Sequence, residues 1–235
     1  MKSDFRAVVA ATVKGRLLPS TIKFMNEVRY QGHLAKQRVA NSLLPWRVSA
    51  RRRLGKMDDV RLHWGCGPRR IDGWVNIDGW RTEATDYVHD LRTNLPFADE
   101  SVALIFSEHV LEHVESDVAE RVLADFFRVL KNGGRLRLIV PDLAKCCRAY
   151  MDHDREWFSK VDADSLTVGD GFNKIFYSHF HRYIYDAETL MLLLRRAGFS
   201  EVSPSTHLAS IDERLNLDNN SESRILVSLY VEAKK

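Results

Sequence analysis

The spacing of hydrophobic positions changes period several times along the chain, and each change marks an element. VRLHW (Val60–Trp64), WVNI (Trp74–Ile77) and DYVHD (Asp86–Asp90) are short apolar runs bounded by turn residues, the signature of strands. SVALIFS (Ser101–Ser107) is almost continuously apolar, as expected of a strand buried on both faces. SDVAERVLADFFRVLKNGG then repeats at helical spacing, opens on a Ser/Asp cap signal and stops at Gly133–Gly134. RLRLIVP (Arg135–Pro141) is a fifth strand. DAETLMLLLRRAGF is a further helix, with Asp186 as its cap and Gly198 as its stop. EVSPST and RILVSLYVEA close the chain as two more strands. Strands alternating with helices predict an α/β fold: a doubly wound, mostly parallel seven-stranded sheet with right-handed connections.

Residues 1–56 break this pattern. Phe5, Val8, Val9, Thr12 and Val13 fall near helical spacing, and Pro19 and Pro45 punctuate the segment. Its charge also differs. It holds 13 Lys/Arg and two acids, giving +11; the other residues hold 22 basic and 30 acidic, giving −8, and the two sum to the net +3. The expected organisation is a basic helical arm over 1–56 and a mildly acidic domain over 57–235. The arm has three readings: a surface for an anionic membrane, a nucleic-acid contact, or a helical cap whose charges are merely solvated. Nucleic acid is the least favoured of the three. The apolar stretch Ala7–Val13 is cut by Lys14 and Arg16 and makes a poor signal peptide. Three cysteines, Cys66, Cys146 and Cys147, form neither a disulfide framework nor a C-x-x-C pair, so a reducing cytoplasmic setting is expected, peripheral at the membrane if the arm binds there.

The chemistry concentrates in LHWGCGPRRIDGWVNID (Leu62–Asp78). Gly65 and Gly67 flank Cys66 directly after a strand, where glycine lets the backbone approach a ligand closely. A dinucleotide fingerprint would need a third glycine opening a helix, but Arg70 stands after GCGPR, and PRRIDG reads as turns. Without a long helix there is no row of N-terminal amides to hold a pyrophosphate. A nucleoside without phosphates fits better, with Asp78 at a strand end accepting two hydrogen bonds from a ribose diol.

LHWGCG, VNID, VHDLRTNLPFADESVALIFSEHVLEHV and LKNGGRLRLIVPD, in that order, resemble the class I S-adenosylmethionine-dependent methyltransferases, closest to the type 11 branch and to a subgroup associated with sugar and glycan modification. The resemblance spans roughly Val60 to Val231. It implies that Gly65, Cys66 and Gly67 run along the methionine part of the cofactor and that Asp78 holds the ribose. It further implies that Asp90 and the Leu91 backbone meet adenine, and that Ser107 to His109 lie near the sulfonium. His63 stands where many members carry an acid, and Arg69 where many carry a third glycine.

EHVLEH (Glu108–His113) contains H-x-x-E-H, the inverted zinc-protease pattern, which would require His109 and His113 to share a helical face. That makes a zinc hydrolase a minor alternative, and no metal ligand is assigned, although rim carboxylates leave room for Mg²⁺. A stronger rival is a domain that binds the cofactor but has lost turnover. For methyl transfer to an oxygen of a small molecule or glycan, the candidate bases are Glu112, His113, Asp142 and His181. Asp142 has a competing use as a helix cap. GDGFNKIFYSHFHRYIYDAETL crowds six aromatics (Phe172, Phe176, Tyr177, Phe180, Tyr183, Tyr185) beside His179 and His181. It is expected either to form the acceptor pocket or to pack as a cover, with Trp157 and Phe158 over the same opening.

Overall fold

A computed structural model of the protein describes residues 19–177 and 180–235. The helical spacing expected over Phe5–Val13, and His179, lie outside the described residues. The chain divides into two compact units, Met1–Val48 and Ser49–Lys235. The division falls ahead of the expected boundary at Lys56, inside a helix.

The first unit contains α1 (Pro19–Leu43) and the start of α2 (Pro45–Leu54). Pro45 sits in the first turn of α2, where its missing N–H has no partner to lose. Arg47 staples the end of α1 through Asn41 at 3.0 Å and through Gln37. Arg51, Arg52 and Arg53 fill the last turn of α2, where the helix dipole favours cations. Among the described residues no helix is long and apolar enough to cross a membrane.

The second unit is built on seven strands: β1 (Val60–Trp64), β2 (Val75–Asp78), β3 (Tyr87–Val88), β4 (Val102–Glu108), β5 (Leu130–Pro141), β6 (Glu201–Ser205) and β7 (Ser228–Lys234). Their order is β3-β2-β1-β4-β5-β7-β6, and only the pairings of β7 are antiparallel. The doubly wound, mostly parallel sheet expected from the pattern is therefore what forms. The order reverses between β1 and β4, which places a crevice at their carboxyl ends. Side chains alternate between two cores with the period of the strand. Leu136, Leu138 and Val140 of β5 enter the larger one, while Ile139 enters a smaller cluster with Leu104, Phe106 and Tyr230. The larger core is covered by α3 (Ser116–Val129) and α7 (Ala187–Arg196), through Val122, Leu123, Phe126, Leu190 and Leu194. The smaller one is covered by Ile71, Trp74 and Leu215, from loops and a single 3-10 turn (Glu213–Leu215). A third cluster, around Cys146, Phe158, Ile175 and Val227, joins α4 (Leu143–Met151), α5 (Arg155–Val161), α6 (Val168–Tyr177) and α8 (Glu222–Val227).

Three boundaries differ from the pattern. The helix expected to run to Gly134 ends at Val129, because Leu130 is extended, fully buried and paired with Val102. The strand expected over Arg224–Ala233 begins only at Ser228. Ile225 N–H returns to Ser221 O at 3.1 Å, which closes a helical turn, and Val227 sinks into the third cluster. The third strand shrinks to Tyr87–Val88.

Candidate active site

β1 ends at Trp64, and the chain turns through Gly65 (φ +76°) and Gly67 (φ +52°). The two glycines serve different ends. A Cβ on Gly65 would lie 2.3 Å from the Val110 side chain, so the missing side chain is replaced by Val110 and not by ligand space. Around Gly67 nothing lies within 4 Å of a Cβ position, so this backbone faces open space. Gly65 N–H and Cys66 N–H both donate to Ile77 O, at 2.8 and 3.0 Å, which binds the loop to β2. Asp78 closes the ring: its carboxylate accepts Gly67 N–H and Trp80 N–H, each at 2.8 Å. Among the described residues it forms no salt bridge, so its charge and remaining lone pairs stand available at the loop. Burial pushes the Cys66 thiol up to about 11; it is neutral at pH 7, and the residue offers its backbone alone.

The outer side of the loop is held by a buried hub. Asn76 Oδ1 accepts Ile71 N–H at 3.0 Å, and its amide donates to Ile71 O, Trp74 O and Asp86 Oδ2 at 3.0–3.1 Å. His63 Nδ1 lies 3.1 Å from Asn76 Oδ1. Arg69 reaches Glu108 Oε2 at 3.1 Å and the Leu217 carbonyl, and Glu108 Oε1 accepts Asn219 N–H at 3.1 Å. The residues that replace the commoner acid and glycine thus lock the loop to β2 and β4. Burial, partly offset by the Asn76 contact, lowers the His63 pKa to about 4. The unfolded chain protonates this residue near 6.5, so its contribution to stability is full above 6.5 and is lost as pH falls toward 4. Urea unfolding between pH 7 and 4 is expected to lose about 2–3 kcal/mol through this residue, and less in a His63→Gln variant. His89, also depressed by burial, adds to the slope in both proteins.

Asp90 is buried and already engaged. Arg92 Nε and Nη2 clamp its two oxygens at 3.0 and 3.2 Å. Leu91 is partly buried against the larger core. Ser107 is buried within β4.

His109 leaves β4 in a left-handed conformation (φ +54°), with its N–H on Ile139 O at 2.8 Å. Its Nε2 lies 2.7 Å from Ser228 Oγ and its Nδ1 3.4 Å from Glu112 Oε1. Leu111–His113 is a 3-10 turn, so His109 and His113 do not share the helical face that zinc-protease geometry requires. The turn instead sends Glu112 inward, fully buried, and His113 to the rim. The segment before α7 comes back onto this turn: Arg182 N–H and Tyr183 N–H both donate to Glu112 O, at 2.7 and 3.2 Å. His181 is thereby set edge-to-face against His113, ring centroids 4.8 Å apart. Burial pushes the Glu112 carboxyl up, and His109 and His113 outweigh it, so the group is held below the ordinary glutamate value and ionised.

These residues line a cavity of about 460 Å³. His109, Glu112, His113 and His181 lie together in its lining; Arg224 brings positive charge to the cavity, while Lys174 is paired with Asp162, also in the lining, and with Asp170. Asp142 lies outside the lining. Its Oδ1 caps α4, accepting Ala144 N–H at 2.9 Å and Lys145 N–H at 3.4 Å. Of the six aromatics expected near an acceptor, Phe180 alone lines the cavity. Phe172 and Phe176 pack on the third cluster, Tyr185 is buried in the larger core, and Tyr177 is exposed. Phe158 is buried in the same third cluster, where Gly171 admits its ring. The aromatic segment is divided: Phe172, Phe176 and Tyr185 pack, while Tyr177, Phe180 and Tyr183 are exposed. Arg69 and Ser228 were not singled out from sequence as site residues, and Glu108 only as part of the stretch from Ser107 to His109. Ser228 was hidden because it sits in what reads as mid-strand.

Residues 74–138 match the family model described as a methyltransferase domain. No curated protein sequence matches the chain. Solved structures similar to it include an S-adenosylmethionine-dependent methyltransferase from Thermotoga maritima, at 18% identity and TM-score 0.47, covering 91% of this chain and 97% of that one. Another is from Archaeoglobus fulgidus, at 15% identity and TM-score 0.45, covering 91% and 99%. A third is from Mesorhizobium loti, at 15% identity and TM-score 0.45, covering 80% and 96%. The sheet order, the glycine loop with its acid and the matched segment define a class I methyltransferase fold. Over residues 74–138 the chain is similar to methyltransferase domains, whose methyl donor is S-adenosylmethionine in the related structures. The open face at Gly67 and the uncompensated carboxylate of Asp78 suit this cofactor; the Arg92 clamp shows that Asp90 would have to share its oxygens.

Proposed function

We propose that the protein methylates an oxygen of a small molecule or glycan held in the cavity beside His109. The observation that carries this reading is the wall formed by Glu112, His113 and His181, which puts proton-accepting groups within reach of a bound hydroxyl. S-adenosylmethionine supplies the methyl group as a sulfonium, whose C–S bond breaks as the acceptor oxygen bonds the carbon, leaving a neutral thioether. In this reading Gly65, Cys66 and Gly67 carry the amino-acid end through their backbone, Asp78 holds the ribose, and Asp90 with Leu91 flanks adenine. Ser107 and His109 border the methyl. The side chains around the acceptor align it and exclude water, which can supply several kcal/mol of barrier lowering. They also accept the hydroxyl proton, worth on the order of 10²- to 10⁴-fold in rate. Arg224 in the lining favours an acceptor that carries negative charge, which a glycan acid or phosphate-bearing small molecule satisfies; the charge of Lys174 is already taken by Asp162 and Asp170, at 3.6 and 3.4 Å. Neither helical face-sharing nor a hydrolytic water is needed, so the zinc-hydrolase reading is set aside.

The arm is proposed to dock on an anionic membrane or to serve as a cap. Exposed Phe24, Val28, Val39 and Leu43 alongside Lys and Arg support the first. The test of the enzymatic reading is release of S-adenosylhomocysteine over a panel of acidic and neutral sugars and small alcohols. Acceptor-dependent release establishes oxygen transfer. Tight cofactor binding with no release across the panel supports the rival, a binding domain without turnover.

A further inference from the structure

Three side chains meet at the cavity wall more closely than a proton acceptor requires. Glu112 Oε1 lies 3.9 Å from His113 Nε2 and 4.0 Å from His181 Nε2, and one ligand atom from each of the three falls within 4.8 Å of the others. Glu112 is wholly buried, and neither carboxylate oxygen accepts a hydrogen bond. His109 Nδ1, at 3.4 Å, is close but not aligned to donate. His109 and His113 lie near enough to balance its charge, but the two oxygens remain without a hydrogen bond, a state that a bound cation completes.

The imidazoles are prepared for the same role. His181 Nδ1 bonds the Ile175 carbonyl, which can only accept, so Nδ1 carries a proton, and in the neutral ring Nε2 presents its lone pair toward Glu112. Metal-bound histidines are oriented by this kind of outer hydrogen bond. The two sequence-distant halves, Glu112–His113 and His181, are held together by the main-chain bonds from Arg182 and Tyr183. Metal bonds of about 2.0–2.2 Å place ligand atoms roughly 3–3.5 Å apart, a spacing that small side-chain rotations reach.

We propose that Glu112, His113 and His181 are the protein ligands of a first-row divalent transition metal ion of the Zn²⁺ type, with one coordination position open to the cavity. Two imidazoles and one carboxylate favour such ions over Mg²⁺ and Ca²⁺, which prefer oxygen donors. Three protein ligands and an open position are the pattern of catalytic sites. The H-x-x-E-H motif thus contributes two ligands, but His181 takes the place that the motif gives to His109. The use of the ion rests on the acceptor reading above and changes the route of the proton: with Glu112, His113 and His181 on the metal, a hydroxyl in the open position would ionise nearer neutral pH, its proton leaving to solvent, and its lone pair would attack the methyl carbon as the C–S bond breaks.

The test is titration of chelator-treated full-length protein with Co²⁺ and then Zn²⁺. One Co²⁺ per chain is expected, with visible d–d bands that Zn²⁺ abolishes. His113→Ala and His181→Ala should each lose the bands and weaken Zn²⁺ binding by roughly 100-fold or more, beyond the 10- to 100-fold of an outer-shell change. Their S-adenosylmethionine affinity should stay unchanged, which certifies the fold; Glu112→Gln is the second variant if either histidine change unfolds the chain. Failure of the intact protein to bind either ion at micromolar concentration would overturn the proposal, as would a folded variant that binds like the parent. Metal binding without acceptor turnover would count against the oxygen-transfer reading and leave the metal site standing.

Discussion

Asp78→Ala is expected to weaken S-adenosylmethionine binding by about 10²- to 10⁴-fold in a calorimetric titration. The size follows from two charge-assisted hydrogen bonds to the ribose diol at about 1.5–3 kcal/mol each, with 1.4 kcal/mol per tenfold in affinity. The carboxylate has a second task, since it already accepts Gly67 N–H and Trp80 N–H. Alanine removes both acceptors, so the open face of the loop loses its fixed position as well as its ribose ligand. Asp78→Asn separates the tasks. Its amide oxygen can keep one backbone bond, while the charge is gone, so its affinity should fall between those of alanine and the parent. If alanine leaves affinity unchanged, the ribose is held elsewhere and the assignment of Asp78 fails. If affinity falls with no change for asparagine, loop order outweighs charge.

How far the site could be read in advance depended on how local its signals are. Gly67 and Asp78 belong to one strand–loop–strand unit, and the lack of a third glycine and of a long helix between them suggested a nucleoside. Leu104, Ile105 and Phe106 gave β4 away because a strand buried on both faces has no polar alternation to blur it. Gly65 looked the same as Gly67 in sequence, yet its space belongs to Val110, a contact made across 45 residues of chain. The pairing of Glu112 with His181 is of that second kind: main-chain bonds from Arg182 and Tyr183 create it, and no spacing rule encodes them. Residues 224–227 misled for a different reason. A short apolar run has no period long enough to distinguish one helical turn from a strand, and burial of Val227 in the third cluster decided the matter. The bidentate clamp of Arg92 on Asp90 is local, two residues apart, but a polar pair at that spacing is compatible with many turns.

Arg137→Met is expected to destabilise the fold by about 3–5 kcal/mol, the cost of leaving buried partners without their counter-charge. Arg137 is fully buried in β5, facing the smaller core, and its guanidinium lies 5.3 Å from the Tyr230 ring centroid. All of its donors are used. Nε and Nη2 bond the two oxygens of Asp218 at 2.8 and 2.5 Å, Nη1 bonds Glu232 Oε1 at 2.9 Å and Ser205 Oγ at 3.1 Å, and Nη2 also bonds Thr206 O at 2.8 Å. Methionine fills the volume but leaves two buried acids. At about 2–4 °C per kcal/mol for a domain of this size, the melting temperature should fall by about 6–20 °C. Arg137→Lys should not rescue it, because an ammonium cannot bind Asp218 through two parallel bonds. The effect should also reach the cofactor loop. Asp218 sits between Leu217, whose carbonyl takes Arg69, and Asn219, whose N–H takes Glu108. Releasing Asp218 frees that strap, so S-adenosylmethionine affinity should drop several-fold, well short of the Asp78→Ala loss. Replacing Arg137, Asp218 and Glu232 together with apolar residues of similar volume decides the cause. Recovery of the melting temperature would assign the loss to stranded charge, whereas continued instability would mean that the neutral bonds lost with the three side chains, to Ser205 and Thr206 from Arg137 and from Leu208 N–H and Ile211 N–H to the two acids, were the larger part.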